Sequence, residues 1–133
     1  MKPVLWLLLF TAFWPWQVFA CRCEEPGPRT AYARADSVVM FKVTTVATLP
    51  GDVTRADGEV LQAWKSSVPR ALSIYSGEDC LYPMTRGATY LLYLKRSKEG
   101  EYGTYRCRGN RDQAKAADRI HWLDSHGQPV TVP

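Results

Sequence analysis

The pattern Cys21-Arg22-Cys23 restricts the fold of this chain more than any other stretch. It holds two of only four cysteines among 133 residues, the others being Cys80 and Cys107. A bridge between cysteines two positions apart would close a tiny, strained ring, so each of the pair reaches a distant partner, Cys80 or Cys107. Either assignment closes two long loops, and any fold must bring one short segment against two places far along the chain. The chain-entropy argument gives each bridge roughly 4 kcal/mol, comparable with the whole net stability of a small domain.

The residues before this pattern indicate an oxidising destination. Lys2 gives a basic start, Val4 to Phe13 an apolar core, and Val18-Phe19-Ala20 a small-residue cleavage site, so residues 1–20 read as a secretory signal peptide. The apolar run is shorter than the roughly 20 residues that a membrane-spanning helix needs, and Pro15 interrupts it. The expected location is secreted, extracellular or periplasmic. A cysteine directly after the cleavage site is also an acceptor for acylation, which would instead anchor the protein to a membrane through Cys21. Removing 20 of the 133 residues leaves 113, enough for one compact domain, and losing Lys2 lowers the net charge from +4 to +3. That mild excess is no nucleic-acid signature, and no nucleic-acid partner is expected.

After the cysteine pair, Glu24-Glu25-Pro26-Gly27-Pro28 cannot be helical and reads as a stiff, exposed ridge. Ala31, Tyr32 and Ala35 have the spacing of a short amphipathic helix over Arg29 to Ala35. From Val38 to Val46 the pattern alternates, with Val39, Phe41 and Val43 on one face and Met40, Lys42 and Thr44 on the other. A polar loop is expected to run from Leu49 to Gly58, followed by strands over Glu59 to Lys65 and Ala71 to Tyr75. Thr89 to Leu94 is the most apolar strand. Lys95 to Gly100 reads as a charged hairpin tip and Glu101 to Cys107 as the returning strand. A second helix is expected from Asn110 to Leu123, capped by Asn110 or Asp112, with Ala114, Ala117, Ile120 and Leu123 as its buried stripe. Residues 124–133 look like a tail. Five strands flanked by two helices predict a mainly-β fold, a small closed barrel with the helices packed outside.

If Cys21 opens the exported chain, its α-amine and carbonyl become fixed, exposed groups that together can close a five-membered chelate ring on a metal. Other chemistry is scarce. The cysteines lack the Cys-x-x-Cys knuckle of a structural zinc site. His121 and His126 have no nucleophile or ligand cluster around them in the sequence and read as ordinary helix and surface residues. No serine–histidine–acid arrangement or phosphate loop stands out, so the chain reads as a non-enzyme without a cofactor.

Several stretches together resemble a known family. Cys21-Arg22-Cys23, Pro28-Arg29-Thr30-Ala31-Tyr32 and Ala35-Asp36-Ser37-Val38-Val39 are similar to the amino-terminal domain of the tissue inhibitors of metalloproteinases. Trp64-Lys65, Cys80-Leu81-Tyr82-Pro83, Gly87 with Tyr90-Leu91, and Tyr105-Arg106-Cys107 extend the likeness from Cys21 to about Leu123, and it is greatest to the short bacterial members. The resemblance implies a five-stranded barrel of the oligonucleotide-binding (OB) type, netrin-like in class, over residues 21–123. It also implies disulfides Cys21–Cys80 and Cys23–Cys107.

The partner implied is a zinc metalloendopeptidase, with zinc present only in that enzyme. The amine and carbonyl of Cys21 would coordinate this zinc and Arg22 would enter the S1′ pocket. Cys23, Glu24, Glu25 and Pro26 would form the wedge, and Glu78, Asp79, Cys80 and Leu81 the flanking contact. Positions 22, 33 and 78–79 depart from the animal members, the last by adding the negative charge of Glu78 and Asp79 at the edge. Ala33 stands where they carry a further cysteine, and Arg22 is long and charged where they usually carry a small polar residue. The rival expectation is a non-inhibitory netrin-like module. Its basic half, Lys95, Arg96, Lys98, Arg106, Arg108, Arg111, Lys115 and Arg119, would dock an anionic glycan, lipid or protein.

Overall fold

Strand β1 (Ser37–Leu49) organises the molecule, because its first half is apolar on both faces. The computed structural model describes residues 21–77 and 80–133, so the expected signal peptide and the acids Glu78 and Asp79 lie outside the described residues. Val39, Phe41 and Val43 point into one cluster with Val60, Ile74, Leu92 and Leu94. Val38 and Met40 point the other way, into a second cluster with Trp64, Leu91, Tyr93 and Leu123. The sequence pattern suggested one apolar face. The second lies under helices and is equally dry.

A strand buried on both sides needs neighbours on both edges. β1 pairs antiparallel with β2 (Val53–Trp64) and, through Ser37 to Lys42, with β4 (Thr89–Arg96). β3 (Ala71–Ser76) pairs with β2, and β5 (Tyr102–Gly103) joins β3 in parallel and β4 antiparallel. The circuit β1-β2-β3-β5-β4-β1 closes a five-stranded barrel, an OB-fold-like architecture with two helices outside it. Closure leaves these strands few free backbone edges.

The expected polar loop up to Gly58 is strand instead. β1 continues to Leu49, the chain turns over Pro50-Gly51-Asp52, and β2 begins at Val53. Periodicity fails here because this stretch of β2 is held by backbone pairing on both edges, to β1 and β3, with Ala56 its one buried side chain. Ser73 Oγ donates to Asp57 Oδ1 across the ladder at 2.5 Å. Gly58 permits the crossing: a Cβ there would collide with the Lys42 backbone and the Phe41 ring, beside a register shift in β1.

Helix α1 (Pro28–Arg34) forms where expected, with Pro28 in its first turn and Ala31 buried. The Lys65 ammonium closes its far end, donating to the carbonyls of Tyr32 (2.8 Å), Ala33 (3.2 Å) and Ala35 (2.5 Å). The second helix departs from the expectation. Arg111 and Asp112 form a short strand, β6, on β4; residues 113–115 make a 3-10 turn, and α2 spans Ala117–His126. Neither Asn110 nor Asp112 caps it. Its inward face is Ala116, Arg119, Ile120 and Leu123, whereas Ala114 and Ala117 are exposed. The last residues are no free tail: Pro129–Val130 (β7) pair with Trp64 and Ala63 of β2, and Val132 packs on the core. Among the described residues no helix is long and apolar enough to cross a membrane.

Candidate functional site

The two bridges meet at one end of the barrel. Cys21 is joined to Cys80 and Cys23 to Cys107, with Cα–Cα distances of 5.2 and 5.9 Å, and no cysteine is free. The sulfurs of Cys21 and Cys23 lie 3.6 Å apart. Those of Cys21, Cys23 and Cys107 fall within 4.8 Å of one another, but as disulfides they offer no thiolate to a metal.

The far anchors are themselves tied together. The Arg106 amide donates to the Cys80 carbonyl (2.9 Å) and Arg106 Nε to the Leu81 carbonyl (2.8 Å). The Tyr82 amide donates to Ser76 Oγ (2.8 Å), fastening the Cys80 segment to the end of β3. Burial, assisted by the negative charge of Asp112, pushes the Tyr82 phenol up to about 12, so it stays neutral while its ring packs edge-on against Tyr90. Cys107 has φ of 63°, a left-handed conformation rare outside glycine. The turn that presents it is braced from beneath by Asn110. Asn110 Oδ1 accepts from the Tyr93 amide (2.8 Å), and its Nδ2 donates to Thr104 Oγ1 (2.7 Å) and to the Tyr105 carbonyl (3.1 Å). Gly109, at φ 107°, lets this turn pass close under Ala31 of α1 and the Tyr93 ring.

Arg22, Cys23, Glu24 and Glu25 are exposed, Cys21 and Leu81 are partly so, and Pro26 is buried. The ridge is pinned from below at two more points. Arg111 pairs with Glu25 (3.1 Å), and the buried Arg119 donates to the Pro26 carbonyl at 2.7 Å. The structure therefore brings Cys21 to Pro26 and Cys80-Leu81 together at one edge. Two of the eight cations of the expected basic half, Arg111 and Arg119, are engaged in holding this ridge. Lys95 pairs with Asp36 at 3.7 Å, and Arg96 lies over the Tyr102 ring. His121 is exposed, and His126 stacks on Trp122.

Beside the ridge lies an open cleft of about 460 Å³, walled by both disulfides and by Arg22, Gly77, Tyr105, Arg106 and Arg108. Sequence reasoning did not assign Tyr105, Arg106 and Arg108 to the edge of the site. Their position on either side of Cys107 was the available signal, since a cysteine bridged to the ridge brings its neighbours with it. No protein-family model matches the chain, and no curated protein matches it.

Proposed function

We propose that the processed, exported chain is an inhibitor of zinc endopeptidases, of the kind the tissue inhibitors of metalloproteinases represent. Zinc in such enzymes keeps one coordination position open to water. Once residues 1–20 are removed, the α-amine and carbonyl of Cys21 fill that position as a chelate. An α-amine has a reference pKa near ~7.8, so it surrenders its proton to a metal at modest cost. Arg22 follows into the pocket beyond the zinc, residues 23–26 wedge along the cleft, and residues 78–81 flank it.

The observation that carries this reading is the double anchoring of the segment from Cys21 to Cys23. Cys21 and Cys23 are each bonded to a segment that is hydrogen-bonded to the other, while the residues between and after them remain exposed. Fixing one residue's backbone costs roughly 1–2 kcal/mol, and here folding has met that cost before any enzyme arrives. Pre-organisation of this kind is what a backbone chelate needs, because it has no side chain to guide it.

The test is inhibition of a panel of zinc endopeptidases by the exported protein, with intact-mass analysis to establish that it begins at an unmodified Cys21. Arg22→Gly should change which enzymes are inhibited while leaving the melting temperature in place, since Arg22 is exposed. An unchanged profile across enzymes that are inhibited would put Arg22 outside the contact. No inhibition of any member by correctly processed protein would remove the reading.

A further inference from the structure

The cleft beside the terminus has a chemistry of its own. Three of the residues lining it, Arg22, Arg106 and Arg108, carry guanidinium groups. Among the described residues Arg106 engages only its Nε, on the Leu81 carbonyl, and Arg108 lies over the Tyr105 ring at 5.7 Å. Among the described residues none of the three forms an ion pair; Glu25 and Asp36 pair with Arg111 and Lys95 instead. Arg108 also borders a smaller pocket lined by Arg34. Like charges around a concave, covalently stiffened wall reinforce one another's potential and draw in anions. Guanidinium forks match carboxylates in a bidentate geometry that ammonium groups do not offer.

We propose that this cleft receives the carboxylate side chains of an acidic protein segment. The enzymes inhibited are then those whose active-site rim carries Asp or Glu; this second step rests on the inhibitor reading. The volume falls within the ~300–1,000 Å³ usual for ligand sites, and the cleft shares Cys21 and Arg22 with the ridge, so whatever surrounds the zinc meets it. A protein segment fits better than a polyanionic chain. A sulfated glycan or nucleic acid needs a long cationic track, and here Arg111 and Arg119 are tied to Glu25 and to the Pro26 carbonyl.

The direct probe is hexaglutamate, titrated into the isotope-labelled exported protein with the amide and arginine Nε signals followed by NMR. Shifts should concentrate at Arg22, Arg106 and Arg108. Affinity should fall at least about tenfold in each of Arg22→Glu and Arg108→Glu, and comparably when salt is raised to roughly 0.5 M, where screening acts within a few ångströms. Arg22 is exposed, so its variant reports even where Arg108→Glu disturbs folding. An alanine added before Cys21 removes the zinc chelate, yet hexaglutamate should still shift Arg106 and Arg108, which it does not touch, so the two ideas fail separately. Glu78→Gln/Asp79→Asn should bind at least as well as the native protein. Absence of shifts at the three arginines, or affinity unchanged in both charge reversals, overturns the proposal. So does binding seen only in the Glu78→Gln/Asp79→Asn variant, since those acids would then be the cleft's own occupants. Tighter binding of a sulfated disaccharide or a short oligonucleotide than of hexaglutamate overturns it in favour of a polyanion site.

Discussion

Removing either disulfide should cost the same stability, although the two loops differ in length. Cys21–Cys80 spans 59 residues and Cys23–Cys107 spans 84. Taken alone, the chain-entropy relation gives these loops about 4.3 and about 4.6 kcal/mol. The bridges share their ends, however. With one in place, the shortest covalent route that the other closes runs from Cys80 to Cys107 and across the remaining bridge to Cys21 and Cys23, about 29 residues in either case, which corresponds to about 3.6 kcal/mol. Cys21→Ala/Cys80→Ala and Cys23→Ala/Cys107→Ala should therefore lose similar amounts, and removing all four cysteines about 8 kcal/mol, enough to unfold most small domains. Urea unfolding at fixed pH, with the slope of each transition checked, measures all three. A difference between the paired variants above ~1.5 kcal/mol would refute the shared-loop reasoning, because the relation admits no such gap for equal loops. Both paired variants should also inhibit more weakly. Without Cys21–Cys80, two newly mobile residues, Cys21 and Arg22, cost roughly 2–4 kcal/mol to order again, or roughly 30- to 1,000-fold in affinity. Without Cys23–Cys107, Cys21 stays bonded to Cys80 and the loss is smaller.

Two further expectations concern the support beneath the site. Asn110→Ala leaves the buried Tyr93 amide without its partner, whereas the Thr104 hydroxyl keeps its bond to the Tyr93 carbonyl, so the cost is about 1–3 kcal/mol for the one orphaned donor, read as a lower urea midpoint. Asp36 titrates below its ordinary 3.8, chiefly because its carboxylate accepts the Arg96 amide; burial opposes this, and the Lys95 ammonium adds to the lowering. Its contribution is thus complete above 3.8 and disappears as pH falls through the lower folded value. Asp36→Asn should flatten the stability–pH curve in that acid window and nowhere else. An unchanged acid limb would show that the Asp36 contacts carry no linkage.

The barrel was legible where hydrophobic alternation and function of a strand coincide. Val39, Phe41 and Val43 read correctly as one buried face, as did Ala31 and Ala35 in the first helix. Where backbone pairing alone makes the strand, side chains carry no period. That is why Val53 to Gly58 looked like a loop and Pro129–Val130 like part of a tail. The second helix was misread for the opposite reason. Arg119 occupies an inward position because its guanidinium meets the Pro26 carbonyl, a contact 93 residues away that no local pattern announces. Likewise, Asn110 has the residue type of a cap and serves as a buried brace. At the site, the cysteine spacing marked the ridge, whereas the arginines beside Cys107 became part of it only through the fold.

The central claim is that the terminal amine of Cys21 binds zinc, and one added alanine tests it most directly. Placed before Cys21, it converts that amine into an amide whose lone pair is delocalised, and it crowds the metal. Neither disulfide is touched, and Cys21 is already partly exposed, so the melting temperature should stay within about 2 °C. Against an enzyme inhibited by the native terminus, the inhibition constant should rise at least about a hundredfold, since each ~1.4 kcal/mol of lost coordination is tenfold. Equal inhibition by the extended, correctly folded protein would contradict the account and assign the contact to another surface.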